Sequence, residues 1–165
     1  MMQTKRLSFV PQTLEEVRAM IDALGPSEKA AVSADWLRKL DAATSADPWI
    51  HGFTLVLREG DIVVGQCAFK GPPNPEGVVE IAYGIAPDHQ GNGYATEAAN
   101  VLVAYAFASG LVRLVLAHTL PESNASTSVL TKCGFRNVGE VVDPEDGVVW
   151  RWEKLDEGSD DIPRP

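Results

Sequence analysis

"IAPDHQGNGYATEA", residues 85–98, decides how the chain is read. An apolar run closes at Pro87, glycines follow at 91 and 93, and an alanine-rich helical stretch begins at once. A polar turn of this kind exposes backbone N–H groups at the positive end of a helix dipole, which suits an anion. The plain alternative is a strand-to-helix connection that needs glycine for its φ angles. Two common phosphate fingerprints fail here. Thr96 stands where GxGxxG needs its third glycine, and "AFASGLVRLVL" carries no acid at the distance a dinucleotide site requires. No Gly-Lys-Ser/Thr follows, so a Walker A loop is excluded too. What remains is Gln90-x-x-Gly93-x-Ala95, with Gly91 adding freedom.

The surrounding chain sets the scale. Its 165 residues suit one domain, expected over residues 1–155, with 156–165 as an acidic solvated tail. No apolar stretch is long enough for a membrane span, and "MMQTKRLSFV" lacks the core of a secretory signal, so a cytoplasmic location is expected. The net charge of −9 argues against nucleic acid as a partner. Cys67 and Cys133 belong to no CxxC or Cys/His cluster, so no metal site is expected.

Working outward, a strand is expected at Arg6–Val10. A capped helix follows from Thr13, with Glu16 completing a capping box and Gly25-Pro26 as the stop. Leu14, Val17, Ile21 and Leu24 recur at helical spacing and predict its buried face. A second helix is expected over Ala34–Ala43. "GFTLVLRE" and "IVVGQCAF" predict a hairpin about Gly60-Asp61. "VVEIAYGIA" is a strand, Ala95–Ser109 a helix ended by Gly110, and Leu111–Thr119 a strongly apolar strand. A short helix in "NASTSVLTKCGF" and a final hairpin turning at Asp146-Gly147 complete the order. The strand–helix–strand passage over residues 78–119 predicts a parallel pair with a right-handed crossover. The fold class is mixed α/β.

Gln-x-x-Gly-x-Gly/Ala between strand and helix resembles the acetyl-CoA pyrophosphate loop of the GNAT N-acetyltransferases. "NASTSVLTKCGF" is similar to their second landmark, an Asn-containing helix ending in Gly-Phe. "EIAYGIAP…QGNGYATEA" and "HTLPESNASTSVLTKCGF" together resemble the branch with the ribosomal-protein N-terminal acetyltransferases. The resemblance covers residues 4–155. It implies a twisted, mostly antiparallel sheet of about seven strands, helices on both faces, and one splayed parallel pair.

It also implies acetyl-CoA or a related acyl-CoA as donor, a primary amine as acceptor (a small molecule or a peptide N-terminus), direct attack in a ternary complex, and a possible homodimer. The net negative charge favours a cationic acceptor such as a peptide N-terminus, a polyamine or an aminoglycoside. Ile85 and Ala86 would offer strand backbone to pantetheine. Gln90, Gly91, Asn92, Gly93, Tyr94 and Ala95 would cradle the pyrophosphate, and Asn124 would reach the pantetheine.

An alkylamine is neutral in on the order of one molecule in a thousand at pH 7, so transfer gains from a base. Glu80, the lone carboxylate in an apolar strand, is the candidate; the plain alternative is an edge-exposed or salt-bridged glutamate. Many GNAT enzymes carry a tyrosine acid five residues before the Phe of Gly-Phe, where this chain has Leu130. Ser126 is the substitute candidate, against a role satisfying backbone donors in the first helical turn. Tyr83 and His118 are expected near the acceptor, or as structural residues. Trp36, Trp49 and His51 fall on a segment that shapes the acceptor site in the family, with packing the plainer role for the tryptophans. Lys132 either meets a CoA phosphate or is solvated. The rival reading is a catalytically silent acyl-CoA-binding sensor.

Overall fold

A computed structural model describes residues 2–30, 32, 34–42, 47–144 and 147–156. The expected tail from 157, Ala43 at the end of the expected second helix, and Asp146 of the last turn lie outside the described residues.

Eight strands form one sheet in the order β1-β2-β3-β4-β5-β6-β8-β7. They are β1 (Met2–Gln3), β2 (Leu7–Pro11), β3 (Phe53–Leu57) and β4 (Val63–Phe69), then β5 (Val78–Ile85), β6 (Leu114–Thr119), β7 (Arg136–Asp143) and β8 (Gly147–Leu155). The strand beyond the expected seven is the two-residue edge piece β1. Every pairing is antiparallel except β5 with β6.

That pair is short. β5 and β6 are in register only at Val78–Leu114, Val79–Val115 and Glu80–Leu116. Beyond Glu80, β5 stays paired to β4 through Ile85, while β6 stays paired to β8 through Thr119. The two strands therefore part at Glu80. The sheet opens there because each strand keeps its other neighbour.

Among the described residues the α-helices are α1 (Leu14–Asp22), α2 (Pro26–Ala30), α3 (Ala34–Ala42), α4 (Tyr94–Ala108) and α5 (Ala125–Lys132), with a short 3-10 turn at Pro87–His89. α4 buries Ala98, Ala99, Leu102, Val103 and Ala106 in the main core with Val79, Ile81 and Val115. Its small residues let the helix lie close to the sheet, and Gly110 follows with positive φ at its end. A smaller cluster of Val17, Leu40 and Ile50 joins α1 and α3.

Two expectations change. Gly25-Pro26 ends α1 but also begins α2, because proline's fixed φ suits the first position of a helix. Thr13 does cap α1, its Oγ1 accepting from Glu16 N–H at 3.1 Å. Of the expected buried face, however, only Val17 is fully buried. Leu14 and Ile21 are half-buried against the small cluster, and Ile21 and Leu24 line a cavity.

Candidate active site

Two cavities meet at Tyr83 and Gly84, the part of β5 beyond the strand separation. The first, about 370 Å³, runs between the 85–96 turn and α5. Among the expected cofactor residues it is lined by Ile85, Gln90, Gly91, Gly93, Tyr94 and Ala95. Gly91 and Gly93 have φ of 81° and 84°, a region side chains resist. A Cβ on Gly93 would also press on Arg6. Gly93 caps α4 with no side-chain hydrogen bond, so the N–H groups of the first turn are left without an internal partner.

Its electrostatics contrast with the chain as a whole. No carboxylate lines this cavity, whereas His89 and Lys132 do. Glu97, in the first turn of α4, is held away by Thr4 Oγ1 (2.7 Å) and by the Arg6 guanidinium. Arg6 also lies 4.7 Å from the Tyr94 ring centroid, an ordering contact that the sequence reading missed.

Three of the expected cofactor residues are placed differently. Ala86 N–H donates to Val64 O (2.8 Å) and its carbonyl accepts from His89 N–H, so its backbone is already used. Lys70 N–H donates to Glu80 O, which fixes the alternation along β5. Residues 80, 82, 84 and 86 turn their backbone groups to β4, and 81, 83 and 85 turn theirs to the gap. Tyr83 and Ile85 thus present the open edge, with Gln90 Nε2 already on Ile85 O (3.0 Å).

Asn92 does not line the cavity; its Nδ2 donates to His89 O (3.0 Å) and stitches the loop. Asn124 is outside the lining as well. Its Oδ1 accepts from Thr127 N–H (3.1 Å) while Thr127 Oγ1 accepts from Asn124 N–H (2.9 Å), a reciprocal cap for α5. Asn124→Ala is therefore expected to cost about 1 kcal/mol of stability. Acetyl-CoA affinity should be unchanged; a thermal melt paired with a titration measures both.

That cap frees Ser126 from the plainer role it had in sequence. Ser126 lines the first cavity, and its carbonyl accepts from the Tyr83 hydroxyl (3.3 Å). Burial pushes the Tyr83 phenol well above its ordinary value, aided by Cys133 and opposed by the Ser126 hydrogen bond. Tyr83 therefore stays a neutral donor. Leu130, at the family's tyrosine position, is fully buried and packs in the main core.

The second cavity, about 600 Å³, lies between the other face of β4–β5 and α1, α3 and the segment at residues 50–51. Glu80 lines it at the strand separation. Its Oε2 lies 2.9 Å from His118 Nδ1 and 3.1 Å from Lys70 Nζ. A carboxylate only accepts, so His118 Nδ1 carries the shared proton. Both contacts fall on one oxygen, which leaves Oε1 for another donor.

His118 is mostly buried behind Glu80 and does not line the cavity. Lys70 does, and sequence reading missed it. Trp36 also lines it, with Nε1 donating to Ile50 O (2.9 Å). His51 does too, buried with Nδ1 accepting from Asp47 N–H (2.9 Å). Trp49 instead packs on Phe69 and Tyr105 at 4.5 and 5.3 Å between centroids. Cys67 is buried, and desolvation pushes its thiol up to about 12. Among the described residues no group of three or more His, Cys, Asp or Glu is arranged to hold a metal, and no helix is long and apolar enough to cross a membrane.

A parted parallel strand pair, a glycine turn at a helix start and a carboxylate at the split lie together where the two cavities meet. The profile of the Acetyltransferase (GNAT) domain matches residues 3–136, and the chain belongs to that family. It is 32% identical over 93 residues to the uncharacterized N-acetyltransferase p20 of Bacillus licheniformis, covering 56% of this chain and 52% of that protein. The match thus spans about half the length of that relative, as it does for two others from Bacillus subtilis.

The fold is similar to that of the ribosomal-protein-S5-alanine acetyltransferase from Vibrio fischeri (TM-score 0.67, 14% identity, 94% of this chain and 96% of that one). It is also similar to an aminoglycoside acetyltransferase in complex with coenzyme A (TM-score 0.65, 14% identity, 94% and 98%). At such identities the likeness concerns the fold alone.

Proposed function

We propose that the chain is an acyl-CoA-dependent N-acyltransferase that moves acetyl from acetyl-CoA to a primary amine by direct attack in a ternary complex. One observation carries this reading: a carboxylate-free cavity at an uncapped helix start meets a carboxylate-bearing cavity where β5 and β6 part. The residues fit the coenzyme. Gly91 and residues 93–96 offer backbone N–H groups to a pyrophosphate, Lys132 and His89 add positive charge, and Tyr83 and Ile85 offer an open strand edge for amide pairing.

When bound, the coenzyme would supply a thioester carbonyl for the amine to attack. Glu80 receives the proton of the acceptor ammonium on Oε1, directly or through a water, while His118 and Lys70 hold Oε2. Ser126, in the lining of the first cavity, is assigned as the donor to the leaving sulfur, with the neutral Tyr83 hydroxyl bonded to Ser126 O at the start of α5. Buried Leu130 favours the rival, a silent acyl-CoA sensor, because it brings no hydroxyl to the site.

Calorimetric titration with acetyl-CoA, with NADH as control and thiol release as the activity readout, tests the reading. Saturable acetyl-CoA binding without NADH binding is expected. No acetyl-CoA binding would sink both readings, and binding without transfer to any amine would leave the sensor.

A further inference from the structure

We propose that the acceptor is a small primary amine carried on one uncharged apolar body, aromatic or branched aliphatic, and not a polycation. This rests on the acyl-transfer reading and deepens it. Val17, Met20, Ile21 and Leu24 of α1 and Trp36 of α3 form one wall of the 600 Å³ cavity, and Ala68 and Ala82 lie opposite on the sheet.

The wall is apolar surface the fold has not used. The periodicity of α1 predicts a buried stripe, yet Val17 alone is fully buried and Met20 is 40% exposed. An exposed apolar helix face above a small-residue floor marks a place for an apolar ligand. At one end Glu80 keeps an oxygen for a single ammonium.

The charges argue against further ammonium groups. Glu80 and Asp143 are the carboxylates among the described lining residues, and Lys70 sits 3.1 Å from Glu80. Extra ammonium groups of a polyamine or aminoglycoside would lie against methyl, thioether and indole surface. Against the apolar wall such a charge loses hydration without an ion pair. Beyond Glu80 the described lining offers it Asp143, which already has a partner, and the neutral polar groups of Gln12, Gln66 and His51; near Glu80 it meets Lys70. An apolar body instead gains affinity with each methylene buried.

The test uses the full chain and two readouts. Tryptophan fluorescence follows binding of phenethylamine, 3-methylbutylamine, spermidine, kanamycin and an alanine-initiated peptide. Thiol release from acetyl-CoA follows their turnover. The two apolar amines are expected to bind saturably and to exceed the others by at least about tenfold, the ratio that 1.4 kcal/mol of differential binding produces.

Met20→Glu places a carboxylate in the wall and is expected to weaken phenethylamine and strengthen spermidine. Met20→Gln, uncharged, should weaken phenethylamine without helping spermidine, and thermal melts check that both variants fold. The proposal is overturned if spermidine, kanamycin or the peptide matches the apolar amines, or if no amine binds. Saturable binding of apolar amines with no thiol release would uphold the pocket and remove the transfer reading, so the two fail separately.

Discussion

Glu80→Gln is expected to lower kcat for amine acetylation by about a hundredfold or more, the usual contribution of a positioned general base. Acetyl-CoA binding should be unchanged, because Glu80 does not line the coenzyme cavity. The substitution is informative because glutamine keeps an oxygen where Lys70 Nζ and His118 Nδ1 need an acceptor. The fold around the strand separation is then preserved while the negative charge and proton affinity are lost.

The alternative account of Glu80 is an ion-pair residue holding β4, β5 and β6 together at their split. On that account Glu80→Gln would move the melting temperature more than kcat. Steady-state thiol release, calorimetry and a thermal melt on one preparation separate the cases. Unchanged kcat removes Glu80 from the chemistry. His118→Asn adds a second check: it keeps a donor for Oε2 but changes its reach, so kcat should fall less than in Glu80→Gln.

How much of this was legible in sequence follows from the range of each interaction. Gly91 and Gly93 could be read because positive φ has a residue signature, and their φ angles of 81° and 84° bear that out. Glu80 stood out as one acid in an apolar strand. Its partners did not, because Lys70 reaches it through the β4–β5 register and His118 across the short parallel pairing. Such register is set by the whole sheet and leaves no local trace.

The local bonding of Ala86 and Asn124 was hidden for a related reason. Residue type shows neither which way a strand residue turns its backbone nor whether an asparagine is consumed as a helix cap. The periodicity of α1 was correctly seen, but a period identifies an apolar face and not what covers it. Here part of that face borders a cavity, which only the placement of α1 over β4 and β5 reveals.

Gly65 had no sequence signal at all, and Gly65→Ala is expected to be among the most damaging single-methyl changes in the chain. A Cβ built there would overlap the Gly84 carbonyl oxygen and stand 3.0 Å from both Cα and Cδ1 of Ile85. The obstacle is mostly backbone, so no side-chain rotation relieves it; β4 and β5 must move apart. Overpacking of this kind costs about 1–3 kcal/mol, and backbone overlap places Gly65→Ala at the upper end.

For a chain of this length the melting temperature should fall by roughly 5–10 °C. The displaced residues, Gly84 and Ile85, line the cavity proposed for the coenzyme, so acetyl-CoA affinity should fall with it. Gly84→Ala is the matched control. A Cβ at Gly84 meets nothing within 4 Å, yet the residue lines both cavities. It should leave the melt unchanged while placing a methyl where the two substrates meet, lowering turnover. Equal melts for both variants would refute the close approach of β4 and β5. A Gly84→Ala enzyme with full activity would move the reacting atoms away from the junction at Tyr83 and Gly84.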